Sequence, residues 1–335
     1  MEDAEFVRGQ IEARLAEPYD KSTVDLNTVA NVIYVAAGQE YLWETFGLSV
    51  RAPERALRAK FVDLALEEQR QGDVISCLYD RDETALEKIV AMQSAYITRL
   101  AEFYLTERDN DIKTAFEYIL GDHSAHFSRL ARKLSQKEGL SPLARTDFDE
   151  RGGRPIDLQF VRIKDCFKRP YDREETDPAT KVRVRLALAQ ELAQRRAYKE
   201  LATVSGDNHL IILDQQACII DNLHIAMVQS LIDAGETVLE SAYLAELSQV
   251  VNLERAVKTT PPGNIRDVFV RFLEEERRHL AAIGDMLVEY EGWSGPQTDA
   301  WPVLKTANDV AAIVAKISDS SQKLVSKADG WRRAA

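Results

Sequence analysis

Cysteine is nearly absent from this 335-residue chain, and the three present, Cys77, Cys166 and Cys218, lie far apart. They form no CxxC pair and no secreted disulfide framework, which reads as a protein of a reducing, cytoplasmic compartment. Glycine (15) and proline (10) are scarce and clustered, so long stretches are left free for regular structure. There is no run of about 18 apolar residues, so no membrane span is expected. The first residues, MEDAEFVRGQIEARLAE, are charged throughout and lack the apolar core of a signal peptide. A basic excess is missing too: 43 Lys and Arg face 55 Asp and Glu, for a formal charge of -12. That balance argues against a nucleic-acid backbone or an anionic membrane as partner. Phosphate-binding GxxxxGK(S/T) loops, Gly-rich strand-turn-helix motifs and GxSxG elbows are all lacking. The short basic stretches, Arg183 with Arg185 and Arg195 with Arg196, are flanked by acids and read as helix faces.

What is present is helical periodicity. Apolar residues recur at helical spacing over 27–46, 54–78, 83–106 and 112–137, and again over 181–203, 208–233, 236–257 and 264–289. A last amphipathic helix is expected over 303–325. Pro53, Gly206, Gly235 and the Pro261-Pro262-Gly263 corner punctuate the helix ends. Only 156–163 alternates weakly, inside a stretch (141–180) rich in Pro, Gly and charge.

The two helical sets resemble each other. With a shift of 153, residues 54–135 lie over 207–288 without a gap. The block CLYDRDETALE from Cys77 meets SLIDAGETVLE from Ser230, and Ile112, Phe116, Leu120 and His126 meet Ile265, Phe269, Leu273 and His279. An internal duplication follows. The expected fold is therefore all-α, two tandem four-helix bundles and a C-terminal helix. A degenerate bundle would span 1–140, a connector 141–180, a metal-bearing bundle 181–292, and a helix with tail 293–335.

Two acid-x-x-His pairs stand in the second half: Asp221-Asn222-Leu223-His224 and Glu276-Arg277-Arg278-His279. On a helix, residues i and i+3 share a face, so each pair aims a carboxylate and an imidazole the same way. Glu191 precedes Asp221 by 30 residues, and Glu246 precedes Glu276 by 30. The midpoints, 206 and 261, fall at predicted corners, so in antiparallel hairpins each acid lies level with its partner. The Asp221 helix is apolar on most sides and should be buried. Converging buried carboxylates repel one another, and a multivalent cation relieves that. Carboxylates with two imidazoles suit iron or manganese, and zinc also accepts such a set. Against this, Glu276 lies in a charge run typical of a solvated face, and His224 has a plain reading as a core histidine.

This pattern resembles the ferritin-like di-iron carboxylate superfamily, whose bundle helices carry Glu, (Asp/Glu)xxHis, Glu and GluxxHis. The segment Phe272-Leu-Glu-Glu-Glu-Arg-Arg-His279 is the closest local match. The resemblance implies that Glu191 and Glu246 are single-carboxylate ligands, with Asp221–His224 and Glu276–His279 as the paired sets. It implies two iron ions, or manganese with iron, and O2 activation on a small organic substrate by an oxidase or oxygenase. A homodimer and an electron-donor protein fit the same picture. There are two departures: Asp221 shortens one arm, and the short corner at 233–236 replaces the usual long crossover.

The first half keeps a reduced set. Glu40, Glu68, His123 and His126 would suffice for one metal, while Gln71 and Gln93 stand where the second half has His224 and Glu246. The alternative is a degenerate copy kept for packing. Tyr243 and Tyr198 are candidates for tyrosines supporting the metal ligands, against a plainer role in the core. Two other functions compete with an oxygenase. One is a ferroxidase or iron-handling protein. The other is a non-enzymatic helical interaction protein with vestigial sites, docking a partner beside Val310, Ile313, Val314, Ile317 and Leu324.

Overall fold

The computed structural model describes residues 16–49, 52, 54–139, 169–204, 206, 208–298, 310 and 312–316. Among them the regular structure is helical, with no strand. Eight long helices follow in order: α1 (Leu26–Ser49), α2 (Arg55–Ser76), α3 (Ala85–Thr106), α4 (Asn110–Glu138), α5 (Pro178–Val204), α6 (Asn208–Ser230), α7 (Val238–Thr259) and α8 (Asn264–Glu291). Each matches a helix expected from periodicity. Residue 310 and residues 312–316 are helical, within the last expected helix. The alternating stretch at 156–163 and most of the connector lie outside the described residues. No described helix is long and apolar enough to cross a membrane.

Local chemistry sets the ends. Asp109 caps α4 by accepting from the backbone N–H groups of Asp111 and Ile112. Thr237 and Glu240 form a reciprocal capping box at α7. Gly292 ends α8 in the left-handed region at φ 76°, where a side chain would be strained.

Helices α1, α2, α5, α6, α7 and α8 form one compact unit, and α3 and α4 belong to a second. The described helices thus do not divide at the connector as the tandem reading expects. The first hairpin, α1–α2, shares its unit with all four helices of the second half. Apolar periodicity shows which face of a helix is buried, but not which hairpin that face meets.

In the larger unit, α1 packs on α2, α5 and α7, α5 on α6 and α7, and α7 on α8. Helix α7 is buried on nearly every side. Its side chains reach past the α1 surface: Gln249 donates to the Val35 carbonyl at 3.2 Å and Asn252 to the Tyr34 carbonyl at 2.9 Å. Gly38 makes room, since a Cβ there would lie 1.9 Å from Gln249 Oε1. In the smaller unit, α3 and α4 pack as a hairpin, with the Phe103 and Phe116 rings 5.5 Å apart.

The two halves share a further local motif in three dimensions, one that the sequence comparison did not include. Pro18-Tyr19-Asp20-Lys21 precedes α1, and Pro170-Tyr171-Asp172-Arg173 precedes α5. Tyr19 N–H donates to the Leu78 carbonyl at 2.9 Å, and Tyr171 N–H to the Leu231 carbonyl at 2.8 Å. The Tyr19 hydroxyl donates to Glu83 and the Tyr171 hydroxyl to Glu236. Lys21 N–H reaches Asp80 at 2.6 Å, and Arg173 N–H reaches Asp233 at 3.0 Å. Two stretches with weak overall similarity thus pin their incoming chain to equivalent corners.

Candidate metal centre

Helices α1, α2, α7 and α8 each carry a buried stripe at alternating three- and four-residue steps, the pattern of an inward bundle face. The stripes are Val32, Val35, Gln39, Leu42, Phe46; Leu57, Phe61, Leu64, Glu68, Gln71, Ile75; Leu239, Ala242, Glu246, Gln249, Leu253; and Phe269, Phe272, Glu276, His279, Ile283. All four are apolar at their ends and polar in the middle. Burying a large apolar side chain stabilises by about 1.5–3 kcal/mol, whereas a buried carboxylate without partners costs several kcal/mol. Packing alone would not select such a polar layer.

The layer converges. Glu68, Glu246, Glu276 and His279 each offer a ligand atom, and these atoms all lie within 4.8 Å of one another. His279 Nδ1 is 3.0 Å from Glu68 Oε1, 3.1 Å from Glu276 Oε2 and 3.7 Å from Glu246 Oε1. Its Nε2 faces outward and meets Glu67 Oε2 at 2.6 Å. Gln39 Nε2 donates to Glu276 Oε1 at 2.7 Å and to Gln71 Oε1 at 2.8 Å. Both oxygens of Glu246 are buried without a hydrogen-bond partner, and so is Glu68 Oε2. At the rim, Arg70 pairs with Glu275 at 2.7 Å.

The electrostatics follow from this crowding. Burial, reinforced by the Glu276 charge, pushes the Glu68 and Glu246 carboxyls well above the usual range. Burial also acts on Glu276, but the hydrogen bonds from His279 and Gln39 outweigh it and hold that carboxyl low. Burial disfavours the His279 imidazolium, yet hydrogen bonds to Glu276, Glu67 and Glu68 raise it far above the ordinary histidine range. Protons therefore occupy the places where a cation would neutralise the same charges.

Of the residues expected to bind metal, Glu246, Glu276 and His279 meet in this cluster. Glu68, assigned from sequence to the reduced set, completes it. Glu191 and His224 lie elsewhere, paired with each other across α5 and α6 at 3.2 Å, with Asp221 buried one turn before His224. The level matching within each hairpin thus holds, as Glu191 meets the Asp221–His224 turn and Glu246 meets Glu276. What differs is that the two hairpins do not share the cluster, because α2 supplies its fourth member, Glu68. Glu40, placed in the reduced set, lies outside this cluster and pairs with Arg196 at 3.1 Å. In the smaller unit, His123 Nδ1 is 3.1 Å from Gln93 Oε1, and the His123 and His126 rings are 6.1 Å apart.

The Tyr243 hydroxyl donates to the Pro296 carbonyl at 3.3 Å and accepts from Gln297 at 2.9 Å, so it fastens the chain after α8. Tyr198 is buried on α5. Arg185, read as part of a basic helix face, is buried, donating to Tyr41 at 3.0 Å, to Ser241 at 3.1 Å and to Glu236. The residues that sequence reasoning missed are Gln39 and Glu67. Stripe spacing picks out Gln39, at 32, 35, 39, 42 and 46, with Glu40 off it. A search restricted to acids and histidines passes over it.

No protein-family model matches this sequence, and no curated protein or solved structure matches it.

Proposed function

We propose that this chain is a metal-dependent oxidoreductase of ferritin-like type, with iron or manganese held by Glu68, Glu246, Glu276 and His279. The observation that carries the reading is Glu246, a fully buried carboxylate with neither oxygen hydrogen-bonded, set beside two more carboxylates and an imidazole nitrogen. A metal at about 2.0–2.2 Å from its ligands has donors up to about 4.4 Å apart across it, close to the spread of these four atoms. Oxygen donors with one imidazole suit iron and manganese.

The chain path supports the ferritin-like reading. Within the α1, α2, α7, α8 set, the link from the second helix to the third runs through α3 to α6. A long crossover is thereby present, and the short corner at 233–236 no longer conflicts with it.

When bound, iron or manganese supplies one-electron redox chemistry and reduction of O2. The protein's part is to hold and shield. Glu68, Glu246 and Glu276 bring negative charge to the centre, and His279 presents Nδ1. Glu67 accepts the Nε2–H and thereby fixes the tautomer that leaves Nδ1 free. Phe61, Phe269 and Phe272 keep water from the flanking layers. A small organic molecule oxidised at the expense of O2 is the substrate class we infer, with an electron-donor protein as partner.

The test is elemental analysis of purified protein after reconstitution with iron and manganese, beside Glu246→Ala/His279→Ala. Metal bound by the parent protein and lost in the variant, with helical content unchanged by circular dichroism, supports the reading. Oxygen uptake by the reduced, loaded protein is then the expected activity. No metal above background in the parent protein overturns the proposal.

A further inference from the structure

Ferritin-like sites of the expected pattern take two ions, but this cluster has donors for one. Building on the metal-binding reading above, we propose that it is a mononuclear centre in which the Gln39 carboxamide occupies the place of a second cation.

The argument rests on what Gln39 does. Its amide nitrogen donates at 2.7 Å to Glu276 Oε1, the oxygen of Glu276 that does not face His279, and at 2.8 Å to Gln71 Oε1. A carboxylate only accepts hydrogen bonds, so the amide end facing Glu276 is the NH2 group. Turning the amide over would set its carbonyl oxygen against a carboxylate oxygen. The NH2 group carries no lone pair for a metal, and its hydrogens point where a bridging carboxylate would offer its free oxygen. Gln39, Gln71 and Glu276 are all buried in the same polar layer.

Charge leads to the same conclusion. Paired metal ions lie about 3.5–4 Å apart and need ligands on both sides. On the far side of Glu276 the helices present two neutral amides, Gln39 from α1 and Gln71 from α2. Gln71 stands three residues after Glu68, in the same i, i+3 relation as His279 to Glu276. A histidine there would complete a second acid-x-x-His pair. With glutamine at both places, one carboxylate and one imidazole are missing from the second ion's set. Gln39, itself held by the Gln71 carbonyl oxygen, instead satisfies Glu276 by hydrogen bonding, which a neutral group does without adding charge.

The count can be measured directly. Manganese and iron are quantified per chain in four proteins after identical reconstitution: parent, Glu246→Ala/His279→Ala, Gln39→Glu/Gln71→His, and the four-fold variant combining both changes. Differences are used because another ion held elsewhere cancels. One ion fewer in Glu246→Ala/His279→Ala than in the parent supports the proposal. So does a difference of two ions between Gln39→Glu/Gln71→His and the four-fold variant. In the manganese form, the electron paramagnetic resonance of the parent cluster should be that of an isolated ion. In Gln39→Glu/Gln71→His it should become that of a coupled pair. A difference of two in the parent overturns the mononuclear reading while leaving the metal site standing. A difference of zero overturns the metal site itself. One ion in both backgrounds overturns the role of the glutamines. Gln39→Glu alone, the smaller change, provides the same comparison if the double replacement fails to fold.

Discussion

His279 Nε2 lies 2.6 Å from Glu67 Oε2, while Nδ1 of the same ring faces Glu68 and Glu276 at 3.0 and 3.1 Å. The ring thus bridges a half-exposed carboxylate and a fully buried set. Glu67 holds a hydrogen on Nε2, so on the proposed reading the proton a metal would displace is the one on Nδ1. Removing such a partner of a metal-bound histidine typically costs 10–100-fold in metal affinity. Glu67→Ala should therefore weaken metal binding by about tenfold or more, with little loss of stability, since Glu67 is on the surface side of α2. Metal titration of Glu67→Ala against the parent checks this, and equal affinities would refute the orienting role.

Gly38 and Gln249 make the contact that sets α7 against α1. A methyl group at position 38 would fall 1.9 Å from Gln249 Oε1. Gln249 is tied on one side to the Val35 carbonyl at 3.2 Å and on the other to Asn252 at 3.1 Å. It cannot swing away without losing buried hydrogen bonds. Gly38→Ala should thus destabilise by about 1–3 kcal/mol, the range for forced overpacking, despite the better helix propensity of alanine. Because Glu246 sits one turn before Gln249, metal affinity should fall as well. Gly38→Ala/Gln249→Ala, which removes the obstructing side chain, should recover part of the stability in urea denaturation.

Arg185 joins three elements: Tyr41 on α1, Ser241 on α7 and Glu236 at the corner before it. Arg185 and Glu236 are almost wholly shielded from water. Removing one partner of a buried ion pair leaves the other charge uncompensated and costs about 3–5 kcal/mol. Arg185→Met should destabilise by that order. Arg185→Met/Glu236→Gln should be less destabilised than the sum of the single changes, which a double-mutant cycle of chemical denaturation midpoints measures. Strict additivity would show that the two side chains do not act as a pair.

The helices were legible in the sequence almost to their ends, because apolar periodicity and corner residues are local signals. Glu246, Glu276 and His279 were legible too, since i, i+3 spacing and equal distance from a corner are properties of one hairpin. The fourth member of the cluster was not. Glu68 reaches the cluster because α1–α2 packs in the unit that contains α7–α8, and hairpin pairing depends on surfaces hundreds of residues apart. Gln39 escaped for a different reason. Its role is defined by an amide donating to a carboxylate, and no search for metal-ligating residue types registers that. Arg185 reads from the charge pattern as part of a basic helix face, although it and its neighbours on α5, Val184 and Leu186, are buried.

Metal binding to the cluster should depend on pH, and the sign follows from the carboxyl groups. Burial and the Glu276 charge raise Glu68 and Glu246 above their ordinary range. Without metal they keep protons that a free carboxylate would have lost. A cation must displace those protons, so binding releases them and weakens as the solution is acidified. Manganese affinity should fall progressively as the solution is acidified across a series of pH values. Calorimetry in two buffers of different ionisation enthalpy should report proton release. Affinity that stays constant over that range would refute the displacement.

Asp214 on α6 provides a pH effect on folding that is separate from the metal cluster. Both of its oxygens are buried without a hydrogen-bond partner, and burial pushes its carboxyl up to about 7. In the unfolded chain the same group loses its proton near its ordinary value of 3.8. Between those two values the unfolded state is ionised while the folded state still holds its proton, so the group's contribution to stability is lost as pH rises through the window. Above about 7 both states are ionised and the loss is complete. Asp214→Asn keeps the size of the side chain and removes the ionisation. It should therefore gain stability relative to the parent by about 1–2 kcal/mol more at pH 8 than at pH 5. Urea midpoints of both proteins at the two pH values measure the difference. A variant that tracks the parent across the range would show that Asp214 ionises in the folded protein as freely as in the unfolded one.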